Sequence, residues 1–576
     1  TNVGAVTWGS GSAGVSGVVS TSNSLMGQAA NDCIGSRGIY ALDNGNYVVL
    51  SPYWDNGAVQ NVGAVTWSKG DSATNAVKGT VSSTNSLLGK SADDVIGSSG
   101  VLRLTGNNNF VILSPNWDNW HNSAQNAGAV TWMNGATGKL STGLSGGEVS
   151  SANSLVGTTK SDNVGADAVA LTNGNYVTRN LYWNNGTATR AGAVTWGNGA
   201  TGITGAVTSA NSLYGEKVDD YLGSSGIYAL ANGNYVVSSA LWDNGTVANV
   251  GAITWGDGTT GLTGTVSAAN SLVGSSQNDC VGSGGMTLLS GNNNYVVRTP
   301  YWDNGTTVLN AGAVTWSKGD SAANAAKGVV SSDNSLVGST ANDYVGSGTV
   351  ISIPNGDYVV RSYNWNNGTT TKVGALTWGS GSAGIKGVVS ADNSFVGASA
   401  NDCVGSSFVI PLSDGTAVVG SGNYDQNGLV DTGRVDIIKA GSGGGGALTN
   451  PLSFGTNAGD KSTVGVGQIT ALLNAGTAVT LQANNDITLS TTLTANNTGG
   501  DGGALILQAG RSILLNDSIT TDNGSLTITA NETTANGVYD LHRDAGAAVI
   551  AIASGKTIDA GSGAVSITLA NGAGKT

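Results

Sequence analysis

Few side chains in this sequence could carry chemistry, and their spacing points away from catalysis. Histidine occurs twice, at His121 and His542, so a Ser-His-Asp or Cys-His arrangement must use one of them. His121 follows Trp120 in an irregular loop and His542 belongs to a different region; both read as exposed loop residues. Paired carboxylates occur as Asp93-Asp94 and Asp219-Asp220. A glycosidase needs two carboxyl groups facing each other across a cleft, whereas neighbours in an extended segment point to opposite faces. Related pairs return as Asn31-Asp32 and Asn342-Asp343, and a pair that recurs unit after unit reads as a turn element. Cys33, Cys280 and Cys403 form no CxxC and are odd in number, which gives neither a disulfide framework nor a zinc site. Val95, Tyr221 and Tyr344 occupy the same register, so the cysteines read as buried free thiols in a packing slot. No catalytic residue, metal site or cofactor is expected.

Tryptophan is the informative residue. Seven of them, Trp8, Trp67, Trp132, Trp196, Trp255, Trp316 and Trp378, close a Gly-Ala-Val-Thr-Trp string or a close variant. These read as core, each indole N–H bonded to a carbonyl. Six more, Trp54, Trp117, Trp183, Trp242, Trp302 and Trp365, precede Asp/Asn-Asn, with Tyr424 in the seventh place. Lying beside a polar turn, this second set is expected to be half exposed. Aromatic rings next to Asp55, Asp118, Asp243 and Asp303 are suited to stacking sugars and binding their hydroxyls. These ten residues are the candidate ligand-binding set, and a structural turn is the competing reading of each.

The elements that position them form a repeat. The Gly-Ala-Val-Thr-Trp tryptophans are 59, 65, 64, 59, 61 and 62 residues apart. Each is followed by an Asn-Ser-Leu or Asn-Ser-Phe step, at Asn23, Asn85, Asn153, Asn211, Asn270, Asn334 and Asn393. Each unit reads as four short strands, shown by Gly38 to Leu42, Tyr47 to Leu50, Ala64 to Trp67 and Val81 to Ser83, with Asn-Gly turns between them. Four antiparallel strands per unit describe a propeller blade, and seven units fit the common range. A solenoid rung is the competitor. The string Gly433 to Ile437 is a degenerate eighth copy, placed to let the chain ends close a ring.

Composition agrees with strands and turns. The chain has 576 residues, 91 of them glycine, and only 10% are charged. The low charge excludes a self-repelling disordered chain. The net charge of −13 disfavours phosphate backbones, so no nucleic-acid partner is expected. No apolar run is long enough for a transmembrane segment. Thr1 opens in mid-pattern, which suggests a segment of something larger.

The order of glycine start, Asn-Gly turn, apolar strand, Pro turn and Gly-led closing strand resembles the FG-GAP repeats of integrin-type propellers over residues 1–438. That family's calcium loop carries several spaced aspartates, and turns such as Asp43-Asn44-Gly45-Asn46 lack them, so calcium is not carried over. Residues 439–451 read as a Gly-rich linker. In residues 452–576, Val479-Thr480-Leu481, Leu505-Ile506-Leu507, Leu526-Thr527-Ile528 and Val565-Ser566-Ile567 recur at 26, 21 and 39 residues. This spacing describes a right-handed parallel β-helix, the last interval being about two coils. The strings Leu481 to Leu489 and Leu507 to Ile513 resemble coils of filamentous-haemagglutinin-type exoproteins. The resemblance implies two-partner secretion through an outer-membrane transporter and a role in surface attachment by a Gram-negative bacterium. The expected protein is thus all-β: a seven-bladed β-propeller of four-stranded repeats, then a β-helix. It is expected to be a non-catalytic adhesin or extracellular fibre component, meeting a surface glycan or neighbouring copies of itself. A multivalent glycan-binding lectin is the alternative.

Overall fold

β-Branched and aromatic residues set the strands, and left-handed Gly and Asn set the turns. Tyr47–Ser51 pairs antiparallel with Gly38–Ala41 on one side and with Ala64–Ser68 on the other. Leu87–Leu88 follows antiparallel to Ala64–Ser68, and Gly147–Glu148 of the next repeat adds a fifth strand in parallel. The same order returns in the sheets centred on Ala129–Met133, Ala193–Gly197 and Ala252–Gly256. Each therefore borrows its last strand from the following repeat. This is an all-β, propeller-like repeat of four- and five-stranded sheets. The computed structural model describes residues 2–425, 429–439, 453–454 and 464–572. Two compact units divide the chain at Val337 and Gly338.

In the first unit consecutive sheets pack face to face. Val48, Leu50, Val65 and Leu87 of one sheet share a core with Phe110, Ile112, Ala129 and Met133 of the next. A strand covered on both faces loses the one-sided alternation of a half-wet strand, and all five residues of Ala129–Met133 are buried. One expected strand is corrected. Val81 to Ser83 opens a turn between the two-residue strands Gly79–Thr80 and Leu87–Leu88. The Asn85 side chain makes the turn. Its Oδ1 accepts the Ser82 N–H (2.9 Å) and its Nδ2 donates to the Thr80 carbonyl (3.0 Å), so local side-chain bonds back to the preceding backbone compete successfully with extension.

The second unit continues the pattern with a four-stranded sheet around Ala375–Gly379 and a three-stranded one, Phe408–Pro411, Ala417–Ser421 and Arg434–Ile438. The degenerate eighth string is thus a strand. The expected linker falls on residues 439–451, which lie outside the described residues beyond Lys439. Further on, the described strands are parallel. Val479–Ala483, Leu505–Ala509, Leu526–Ala530 and Val565–Leu569 form one sheet. Ile487–Leu489, Ile513–Leu515 and Ile550–Ile552 form a second, and Leu493–Thr494, Ile519–Thr520 and Ile558–Asp559 a third. Leu481 stands over Leu507 and Ile487 over Ile513, and Gln482 donates to Gln508 (2.6 Å). The 39-residue interval is a single step between neighbouring strands and not two, since Leu526 pairs directly with Val565. The extra length includes two 3-10 turns, Thr534–Asn536 and Asp540–His542. A helix, Val466–Asn474, places Ile469 and Leu473 in the core formed by these parallel strands.

Candidate functional site

The Asn-Gly-Asn turns do more than reverse the chain. Asn173 Nδ2, Asn175 Nδ2 and Trp196 Nε1 all donate to the Gly258 carbonyl of the next repeat, at 2.8, 2.8 and 2.9 Å. The Gly258 N–H in turn donates to Asn234 Oδ1 of its own repeat (3.1 Å). Asn234 Nδ2 and Trp255 Nε1 pass on to the Gly319 carbonyl at 3.5 and 3.1 Å. The clasp also holds Gly135, through Asn44, Asn46 and Trp67, and Gly199, through Asn107, Asn109 and Trp132. One amide ladder therefore threads consecutive repeats of the first unit. Each bond is worth only about 0.5–1.5 kcal/mol, but three converge on each of these buried carbonyls. Glycine is required because a Cβ on Gly258 would overlap the Gly233 carbonyl oxygen. The sequence reading foresaw the indole-to-carbonyl bonds of Trp67, Trp132, Trp196 and Trp255; it missed the ladder, and Trp8, Trp67, Trp196 and Trp316, read as core, are only half-buried. In the second unit Asp357 takes the place of the second Asn. It accepts both the Gly381 N–H (2.9 Å) and the Trp378 indole N–H (3.2 Å), and a carboxylate has no N–H to hand on.

The second tryptophan set is not half exposed, and the expectation is corrected here. Trp54, Trp117, Trp183, Trp242, Trp302 and Trp365 are all buried, with exposures of 1–6%. They sit between strands of consecutive repeats, as Trp183 does among Val130, Leu155 and Val164. No face is open for a sugar. Their neighbouring aspartates are committed as well: Asp55, Asp118, Asp243 and Asp303 accept the backbone N–H of Asn61, Asn126, Asn249 and Asn310 at 2.7–2.8 Å. The turn bends back towards the core at its tryptophan, which periodicity alone does not reveal. The indole N–H groups of Trp54, Trp117, Trp183, Trp302 and Trp365 are buried and meet no acceptor among the described residues.

The recurring acid is likewise a scaffold group. Asp94 Oδ2 accepts the N–H of Lys90 and Ser91 (2.7 and 2.8 Å), and Oδ1 accepts that of Asp118 (2.8 Å). It ties one repeat to the next turn. Burial pushes Asp94 and Asp220 up to about 6 against these donated hydrogen bonds. Asp93 lies in a left-handed turn and bonds Asn61 (2.9 Å), so the two adjacent carboxylates have separate structural partners. The cysteines are half-buried, not buried, and each holds a left-handed backbone with φ of 45–48°. That conformation turns the slot outward, where Cys, Val, Asn and Tyr all fit. His121 is exposed and stacks on Trp120 with ring centroids 3.5 Å apart. Lys90 lies over the same indole (3.9 Å) and pairs with Glu148.

What faces solvent is the residue before each buried tryptophan. Tyr53, Tyr182 and Tyr301 are 51%, 44% and 51% exposed, and Leu241 is 38%. Sequence reasoning missed this row by one position. The repeats carried the signal: the tryptophan place hardly varies, while the place before it holds Tyr, Asn or Leu. Beside Tyr182 is a shallow cleft of about 370 Å³ lined by Lys160, Ser161, Asn163, Tyr182, Asn184, Thr189 and Arg190. Tyr221 stands edge-on to Tyr182, with centroids 6.1 Å apart at 87°. Arg190 forks onto Asp219 at 2.5 and 3.0 Å and lies 5.8 Å from the Tyr221 ring centroid.

A family model described as "Repeat of unknown function (DUF5650)" matches residues 1–36, 41–98, 104–166, 170–224, 229–283, 289–347 and 352–406. No curated protein matches the chain. Among solved structures, one titled "Crystal structure of the eukaryotic initiation factor" is similar at 8% identity, covering 72% of this chain and 87% of that one, with a TM-score of 0.25. A superposition at that score carries no inference about fold or function.

Proposed function

The chain belongs to the family described as "Repeat of unknown function (DUF5650)", and from its geometry we propose a non-catalytic attachment protein displayed outside a Gram-negative cell. In this reading the repeats are blades of a seven-bladed propeller, and the parallel coils are a right-handed β-helix of filamentous-haemagglutinin type. One observation carries the reading. The turn tryptophans and their acids are spent inward on the scaffold, while one register of the turn points rings outward at Tyr53, Tyr182 and Tyr301. Repeated weak contacts suit a glycan-coated surface, because linked sites raise avidity by roughly 10²–10⁴ without new contacts. The in-register stacking of the Leu481 and Leu507 strings supports the exoprotein resemblance, and with it secretion through an outer-membrane transporter.

The test is retention of the purified chain on a panel of glycan-coated surfaces. Retention should be firm on a coated surface and barely measurable with the free monosaccharide. It should fall in steps as Tyr53→Asn, Tyr182→Asn and Tyr301→Asn are combined; Asn is the residue that Asn116 and Asn364 already supply at this register. Retention on no surface, or unchanged retention in the triple variant, overturns the proposal.

A further inference from the structure

We infer that the cleft beside Tyr182 binds an acidic sugar, one ring face on the Tyr182 ring and the anionic group at the Lys160 ammonium. The inference rests on the attachment reading and gives one of its sites a ligand class.

The repeats supply their own comparison. Lys160 stands where other repeats carry Ala30, Ala92, Val218 and Gln277. It is exposed, and among the described residues no carboxylate pairs with it. Arg190 stands where Asn61, Asn126, Asn249, Asn310, Lys372 and Asp431 lie, at φ 50–53°. Asparagine tolerates that left-handed backbone; arginine has no such advantage, yet holds it at φ 56°. Here the guanidinium fixes Asp219 and covers Tyr221, which builds the wall behind Tyr182. Asn184 is fixed too, through Thr159 Oγ1 and Asp162 Oδ1 at 2.8 and 3.0 Å.

The Tyr182 ring, a free ammonium and the fixed Asn184 amide form a small polar cleft with one stacking face. A sugar ring has an apolar face and polar edges to match. The free cation selects an acidic sugar, since the net charge of −13 repels anions from most of the surface. An acidic peptide would have the charge but no ring face of C–H groups to set on Tyr182.

The experiment is calorimetric titration of the full chain with trigalacturonate, its methyl ester and a hexaglutamate peptide. Trigalacturonate should bind, and the ester should bind several-fold more weakly. Lys160→Ala should weaken trigalacturonate about threefold to fivefold, the scale of an exposed, screened charge. Tyr182→Asn should weaken it by up to about tenfold, the scale of an aromatic contact. Both variants install residues that sister repeats carry at the same register, so folding is preserved. Equal affinity for acid and ester, displacement by the peptide, or unchanged binding in both variants overturns the inference. Firm retention on glycan surfaces without trigalacturonate binding overturns it alone; trigalacturonate binding without retention overturns the attachment reading alone.

Discussion

Gly258→Ala is expected to destabilise the first unit by about 3–6 kcal/mol. The added Cβ meets the Gly233 carbonyl oxygen, a backbone atom that cannot swing aside. Overpacking alone costs about 1–3 kcal/mol. Separating the two segments also pulls the Gly258 carbonyl away from Asn173, Asn175 and Trp196, three bonds worth about 0.5–1.5 kcal/mol each. Urea unfolding followed by tryptophan fluorescence measures the loss. Gly186→Asn is the control: that glycine has open space around its Cβ and φ 61°, which asparagine accepts, so its midpoint should hardly move. A Gly258→Ala midpoint within about 1 kcal/mol of the parent would mean that the clasp is incidental.

Trp183→Ala should cost about 3–5 kcal/mol, as for emptying a core aromatic site. Its sequence neighbours Asn184 and Asn185 suggest a wet ring, but the side chain is 5% exposed and packs with Val130, Leu155 and Val164. A further contrast separates the two tryptophan sets. Trp183→Phe removes an indole N–H that has no acceptor, so it pays only for lost volume. Trp196→Phe also takes a donor from the Gly258 carbonyl, an added cost of about 1 kcal/mol. Equal losses for the two phenylalanine variants would show that the Trp196 bond does not stabilise the unit.

The repeat, its strands and its turns were legible because each unit restates the same pattern. Val65 and Trp67 announce a strand wherever they recur, and Asn44-Gly45-Asn46 announces its turn. The recurring apolar strings after residue 478 were legible for the same reason, and they pair as parallel strands, Leu481 beside Leu507. Partner identity across repeats was not legible. Nothing in Asn173-Gly174-Asn175 names Gly258, whose carbonyl is brought there by sheet packing. The inward bend at Trp54 and Trp183 was hidden too, because a polar neighbour in sequence is not a polar neighbour in space. Side-chain competition with the backbone misled the reading of Val81 to Ser83, where Asn85 turns the chain. The surface row at Tyr53, Tyr182 and Tyr301 needed only a comparison of variable with constant positions, and the burial pattern shows why that comparison works.

The claim at the centre of this account is that one amide ladder couples consecutive repeats. Hydrogen exchange at the Gly135, Gly199 and Gly258 amides tests it most directly. These buried glycines follow strands, and their N–H groups donate to Asn109, Asn175 and Asn234. If the ladder holds, they exchange as slowly as the strand amides of Ala193–Gly197, through unfolding of the packed unit, and Asn175→Ala releases Gly199 to fast exchange. Loop-like exchange at Gly199 in the unaltered protein, or no change in Asn175→Ala, would contradict the account.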